Sequence, residues 1–314
     1  MSSQRATVMT KMESPSHRTT EHGNPAVFKP RWFVLDDINV EIISAGAVAA
    51  TVVAWLTSSI SVKEALAGLL ATVIPLRLFL PRPNPPRGTV LITGASSGIG
   101  AELSYIFADK GHDLVLVGRN HEQLQAVKRN VEQKYGTRAQ TIVSDLSVPG
   151  APQKLYNEVT IECGIDIDIL VNGAGLGGAG DTLEQPVELV ESMTTLNCIS
   201  LVQLTQLFGR GMVKRGHGWI LQISSVGGWM ASPGQTLYHA TKHYVRAFSE
   251  ALSVELRAYP GIVNTQLMPG PTHTQFVTRA HAEETFTMAA SGAVEDPKAV
   301  AIAGYNVFTS QYRA

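Results

Sequence analysis

Cysteine is nearly absent, with Cys163 and Cys198 the only two among 314 residues. Two thiols cannot build a disulfide framework or, alone, a zinc site, so both read as small buried side chains. An excess of either charge is missing too. Against 26 Asp and Glu stand 25 Lys and Arg, a formal net charge of −1, and bulk electrostatics give no reason to expect nucleic acid as a partner. No Asn-x-Ser/Thr acceptor with a permitted middle residue occurs, so glycosylation gives no sign of a lumenal domain.

Charge is also lacking in one long stretch, Ile42 to Val62. A helix of about 20 apolar residues can cross a hydrocarbon core, and the run starts too far from the N terminus for a signal peptide. A second apolar run, Ala65 to Leu80, is interrupted by Pro75 and Arg77. Lys29 and Arg31 precede the pair, while Arg77, Arg82 and Arg87 follow its core. Basic residues on both outer flanks fit a hairpin with both ends cytoplasmic, and a single helix is the other form the anchor could take. The alternative is a pair of soluble helices packed on the domain that follows. The expected organisation is a disordered polar tail over 1–37, a membrane-anchor segment over 38–81, a proline-rich spacer over 82–87 and a catalytic domain over 88–314.

Glycine, by contrast, is plentiful, with 28 in the chain. The informative group is Thr93-Gly94-Ala95-Ser96-Ser97-Gly98-Ile99-Gly100. It lies between an apolar run, Thr89 to Ile92, and an amphipathic run, Ala101 to Lys110. Strand, tight turn and helix in that order suit a dinucleotide. Gly94 permits the turn, Gly98 lets backbone approach a pyrophosphate, and Gly100 lets helix and strand pack closely. Ser96, Ser97 and Ile99 complete the cradle, and the helix N terminus offers N–H donors and a positive dipole end to phosphate.

A second strand, Asp113 to Val117, ends at Gly118-Arg119-Asn120 without a carboxylate. An acidic residue there would bind a ribose 2′-hydroxyl, whereas an Arg accommodates a 2′-phosphate. Arg119 therefore favours NADP(H) over NAD(H). A helix over His121 to Tyr135, a strand over Arg138 to Val143, a helix over Ala151 to Cys163 and a strand over Ile167 to Val171 follow. Asp145, at the carboxyl end of the third strand, could hydrogen-bond an adenine. This alternation predicts an α/β fold, a Rossmann-like doubly wound parallel sheet of about six strands with helices on both faces.

The glycine turn, together with Asn172-Gly173-Ala174-Gly175, resembles the short-chain dehydrogenase/reductase superfamily over about Gly88 to Thr309. Gly173 departs from the family pattern, which has a second Asn that helps hold the central strand. The resemblance implies that Asn172 belongs to the cofactor region. It also implies that Asn197, inside a long helix expected over Glu184 to Gly211, kinks that helix and links a catalytic Lys to solvent. Thr272 and Thr274, in Pro269-Gly270-Pro271-Thr272-His273-Thr274, inherit roles in binding the nicotinamide carboxamide. Family members usually continue into a seventh strand, for which no residues are evident. The membrane segments or a partner copy, making a homo-oligomer, could cover that edge.

Tyr238 and Lys242 stand at i and i+4, so a helix puts phenol and ammonium on one face. Ser225 precedes Tyr238 by thirteen positions, at the end of a strand over Trp219 to Ile223. Hydride exchange with a carbonyl needs a proton carrier, and a free phenol has a pKa of about 10. A nearby ammonium and a cationic nicotinamide are expected to lower it. Tyr238 is then acid in reduction and base in oxidation, Lys242 tunes it and holds ribose hydroxyls, and Ser225 steadies charge on the substrate oxygen. Ser224 is the less favoured alternative, and His239 is expected to be structural. A substrate lid is expected over about 271–296, with Phe276, Phe286 and Met288.

Within the superfamily the chain is similar to membrane-associated 3-ketoacyl-CoA reductases and hydroxysteroid dehydrogenases. That implies reduction of a lipophilic ketone by NADPH, in an endoplasmic reticulum membrane with the catalytic domain in the cytoplasm and membrane lipid as a partner. Two readings compete with it: oxidation of a steroid- or retinoid-like alcohol, and a non-catalytic scaffold that keeps the fold. No metal is implied.

Overall fold

The computed structural model describes residues 88–280 and 294–310. The tail, anchor and spacer expected over 1–87, and half of the expected lid (281–293, with Phe286 and Met288), lie outside the described residues.

Six strands form one parallel sheet in the order β3-β2-β1-β4-β5-β6. They are β1 (Thr89–Thr93), β2 (Asp113–Gly118), β3 (Ala139–Val143), β4 (Ile169–Asn172), β5 (Gly218–Ile223) and β6 (Ile262–Leu267). Between and after them run α1 (Gly98–Asp109), α2 (His121–Tyr135), α3 (Ala151–Tyr156), α4 (Val187–Thr194), α5 (Leu201–Arg215), α6 (Thr236–Glu255), α7 (Gln275–Arg279) and α8 (Pro297–Ser310). Strand order reverses between β1 and β4, and ligands bind such sheets in the crevice beyond the strand ends at that point.

The apolar strand runs have a direct cause. Successive side chains point to opposite faces, and both faces are covered. Val90, Ile92, Leu114, Leu116, Ile169, Val171, Trp219 and Leu221 enter one core, with Phe107 of α1 and Phe308 of α8. Leu91, Val115, Val117, Leu170 and Ile220 enter the other, with Leu204, Phe208 and Met212 of α5. In the first core the Phe308 ring stands edge-on to Trp219, with centroids 4.6 Å apart, and to Phe107 at 5.9 Å. Burying a side chain of this size stabilises by about 1.5–3 kcal/mol.

Local signals fix most boundaries. The Asn120 side chain accepts the Gln123 N–H at 3.0 Å to open α2, and Gly136, at φ +68°, closes it. The helix expected over Glu184 to Gly211 instead begins after Pro186 and ends at Gly216, whose φ is +78°. It is also not one regular helix. Residues Thr195–Ser200 form a π-helical segment between α4 and α5. A second such segment, Asn157–Glu162, follows α3. No seventh strand is present among the described residues.

Candidate active site

The crevice at the reversal point holds a cavity of about 440 Å³. Its floor is the glycine turn. Gly94 sits at φ +72°, and a Cβ there would come within 2.8 Å of the Gly173 carbonyl oxygen. Gly98, at φ +56°, lies so close to Thr274 that a Cβ would meet Thr274 Cγ2 at 2.9 Å. At Gly100 a Cβ would collide with the Gly94 carbonyl. The Ser97 side chain makes no capping bond to α1. The first main-chain bond of that helix runs from Ala101 N–H to Ser97 O at 3.3 Å. The N–H groups of Gly98, Ile99 and Gly100 therefore have no intrahelical acceptor. A turn that only glycine fits, feeding an uncapped helix end, is what a pyrophosphate requires. The residues present fit a dinucleotide.

At one end of the cavity lie Arg119 and Asp145. The Arg119 guanidinium is half exposed and stands 3.8 Å from Asp145 Oδ2. Asp145 Oδ1 accepts bonds from Ser147 N–H at 3.0 Å and Ser147 Oγ at 2.6 Å. Partial burial works to raise its pKa, but the two Ser147 bonds and then Arg119 outweigh it and hold the carboxyl below its ordinary value. The carboxylate expected to reach an adenine thus already has Ser147 and Arg119 as partners.

At the other end stand Ser225, Tyr238 and Lys242. Ser225 follows β5, accepts Gly227 N–H at 3.0 Å and donates to Pro269 O at 3.5 Å. Tyr238 and Lys242 project from α6. Lys242 Nζ donates to Ile223 O at 3.0 Å and lies 5.7 Å from the Tyr238 ring centroid. Ser224, the rival to Ser225, directs its hydroxyl to Lys242 O at 3.2 Å.

One electrostatic expectation needs correction. Lys242 and a cationic nicotinamide are together expected to pull the phenol down, but in the protein by itself burial pushes Tyr238 up to about 12, with a smaller lowering contribution from Ser225. Tyr238 is partly accessible by area because it lines the cavity; its surroundings still withhold the solvation that a phenolate needs. Burial likewise lowers Lys242 to about 8. In the protein alone desolvation is the largest cause at both groups, and the phenol is neutral at pH 7.

Asn197 occupies the π-helical segment and is almost wholly buried. Its Oδ1 accepts Leu176 N–H at 2.8 Å, and its Nδ2 donates to Leu176 O at 2.8 Å and Thr241 Oγ1 at 3.0 Å. Thr241 in turn donates to Tyr238 O at 2.7 Å. The widened turn thus ties the loop after β4 to the helix carrying Tyr238. π-Bulges are frequent at functional sites.

Asn172 does not line the cavity. Its Nδ2 is buried between Thr205 Oγ1 and Gln222 Oε1, each at 3.0 Å. It links β4 to β5 and α5, the kind of strand-holding role expected of the Asn that Gly173 replaces. A Cβ at 173 would stand 2.7 Å from Thr93 O, so an Asn could not replace Gly173 without a shift. Thr272 Oγ1 donates to Gly270 O at 2.9 Å, and Thr274 Oγ1 accepts Phe276 N–H at 3.3 Å to open α7. His239, expected to be structural, does line the cavity wall; its Nδ1–H donates to Met230 O at 2.7 Å. Leu176, Gly177, Val226, Gln235 and Arg279 also line it. No sequence motif marks those residues, because loop shape alone brings them there.

A family model described as short chain dehydrogenase matches residues 88–285. The chain belongs to the short chain dehydrogenase family. Among its relatives, a very-long-chain 3-oxoacyl-CoA reductase of Phaeosphaeria nodorum is 33% identical over 178 residues, 55% of this chain and 52% of the relative. The human dehydrogenase/reductase SDR family member 7 is 33% identical over 198 residues, 62% of this chain and 58% of the relative. The chain thus matches somewhat over half the length of each of these curated relatives. A solved family structure, a short-chain dehydrogenase from Sphingobium yanoikuyae in complex with NADPH, superposes with a TM-score of 0.64. Its sequence identity is 32%, and the match covers 70% of this chain and 84% of that one.

The glycine floor gives a direct test. Gly100→Ala pushes a methyl group into the Gly94 carbonyl and should weaken NADPH binding about tenfold or more, read by fluorescence titration, while the far-ultraviolet dichroism of the domain is retained. Wild-type affinity in Gly100→Ala would show that the turn is not the cradle.

Proposed function

We propose that the chain catalyses NADPH-dependent reduction of a carbonyl on a lipophilic substrate, of ketone or 3-ketoacyl type, with Tyr238 as proton donor. One observation carries the reading: a phenol held neutral by burial lines, with Ser225 and Lys242, one end of a cavity whose floor suits a dinucleotide. Gly94, Ser96, Ser97, Gly98, Ile99 and Gly100 would hold the pyrophosphate, Arg119 a 2′-phosphate, Lys242 and Tyr238 the ribose side, and Thr272 and Thr274 the carboxamide. When bound, the cofactor supplies the hydride.

The protein's own part is positional and electrostatic. Ser225 and Tyr238 grip the substrate oxygen, so that charge developing on it meets two hydroxyl donors. Tyr238 then gives its proton to that oxygen. A cationic Lys242 beside the ring stabilises the phenolate left behind. The raised pKa keeps the phenol protonated at neutral pH, the form that reduction needs and alcohol oxidation does not, and this supports reduction as the physiological direction.

The absence of a carboxylate after β2 and the presence of Arg119 support NADP(H) over NAD(H), as does the NADPH named for the Sphingobium relative. The 3-ketoacyl class rests on the name of the fungal relative and on the apolar lining from Leu176, Val226 and Phe276. Placement in the endoplasmic reticulum membrane, with the domain cytoplasmic, rests on the uncharged stretch Ile42 to Val62. Among the described residues no helix is long and apolar enough to cross a membrane.

Loss of NADPH absorbance with a panel of ketones and a 3-ketoacyl thioester tests the reaction. NADPH should be preferred to NADH by about tenfold or more, and Arg119→Ala should remove most of that preference. Tyr238→Phe should cost about 10²–10⁴ in rate. Turnover retained in Tyr238→Phe, or a preference for NADH, would contradict the assignment. For the membrane reading, the full chain should stay with the membrane pellet after alkaline carbonate extraction; release to the supernatant refutes a spanning segment.

A further inference from the structure

α7 is pinned at both ends. Thr274, which caps it, packs against Gly98 of the glycine turn. Ala280, just beyond it, accepts Ala179 N–H at 2.9 Å from the loop that follows β4. Between these anchors Phe276 lies on the Tyr238 ring, with centroids 5.3 Å apart and planes inclined at 50°. The tip of the Phe276 ring rests on Gly177. A Cβ at 177 would stand 2.5 Å from Phe276 Cζ and 2.9 Å from Ala280 Cβ. Gly177 is not held at positive φ, so glycine is needed here for space alone.

We propose that Phe276 is the specificity-determining residue of this site, a roof over Tyr238 that packs against an apolar group flanking the reacting carbonyl. The inference rests on the reduction proposed above. A carbonyl oxygen that meets both Ser225 and Tyr238 must place its carbon beside the Tyr238 ring, so one substituent lies under Phe276. Leu176 and Val226 line the same cavity and offer that substituent no polar partner from their side chains. The class selected is therefore a ketone with an extended apolar substituent rather than a small polar one. Gly177 is the floor that lets the ring sit where it does.

A series of linear methyl ketones from 2-butanone to 2-decanone reads this out. In the wild-type chain kcat/KM should rise about fourfold per methylene that reaches the ring. In Phe276→Ala the rise should flatten, with the change carried by KM more than by kcat and with NADPH affinity held within about twofold. Phe276→Leu should restore most of the slope. Gly177→Ala, which displaces the ring without removing it, should act like Phe276→Ala. An unchanged slope in Phe276→Ala, or loss of NADPH affinity along with it, overturns the proposal. A readout independent of turnover is the nitration of Tyr238 by tetranitromethane, followed by peptide mass spectrometry. It should be several-fold faster in Phe276→Ala and Gly177→Ala and close to wild type in Phe276→Leu. Equal rates in all four proteins mean that the ring does not cover Tyr238. A wild-type chain that reduces no ketone would defeat the proposed reaction and leave the nitration rates to decide the roof.

Discussion

The site depends on keeping a phenol and an ammonium one helical turn apart in surroundings that give little solvation to either charge. Burial raises Tyr238 and lowers Lys242, so the two pKa values move apart, each group being held toward its neutral form. The neutral phenol can donate a proton, and the weakened ammonium can still answer the charge that donation leaves. The Ile223 carbonyl that accepts from Lys242 Nζ holds it at the end of β5. The strand that delivers Ser225 therefore also fixes the lysine.

Such an arrangement needs a frame that does not yield. The sheet is covered on both faces, and its central strands are joined through Asn172, Gln222 and Thr205 as well as by the ladder. The π-helical turn around Asn197 adds a second tie. One amide grips both the N–H and the carbonyl of Leu176 and reaches Thr241 on the Tyr238 helix. The glycine turn, the loop after β4 and α6 thus meet around the cavity, and α7 bridges the first two.

Much of this was legible in the residues. Two-sided apolar strands announced a covered parallel sheet, and Gly136 stopped α2 where expected, because a positive φ there needs no tertiary partner. The turn from Gly94 to Gly100 and the pairing of Tyr238 with Lys242 follow from local geometry. Three things were not legible. The resemblance implied a kink at Asn197, but not its π-helical form or the amide's partner Leu176, which is 21 residues away in sequence. The inward turn of Asn172 reflects polar partners on β5 and α5. The rise of Tyr238 reflects burial, which no spacing of residues reveals; a sequence shows the ammonium nearby but not the water that is missing. The substrate end of the cavity, with Leu176, Gly177 and Val226, is a matter of loop shape throughout.

The central claim is that burial keeps Tyr238 protonated and brings Lys242 down to where it is still charged at neutral pH, and it is tested most directly by the pH dependence of kcat/KM for ketone reduction between pH 6 and 10. Tyr238, at about 12, stays protonated across that range, whereas Lys242, at about 8, loses its charge within it. The profile should be level near pH 6 to 7 and fall as the pH rises through about 8. A profile level to pH 10, or one that rises there as a phenol is ionised, would contradict the account.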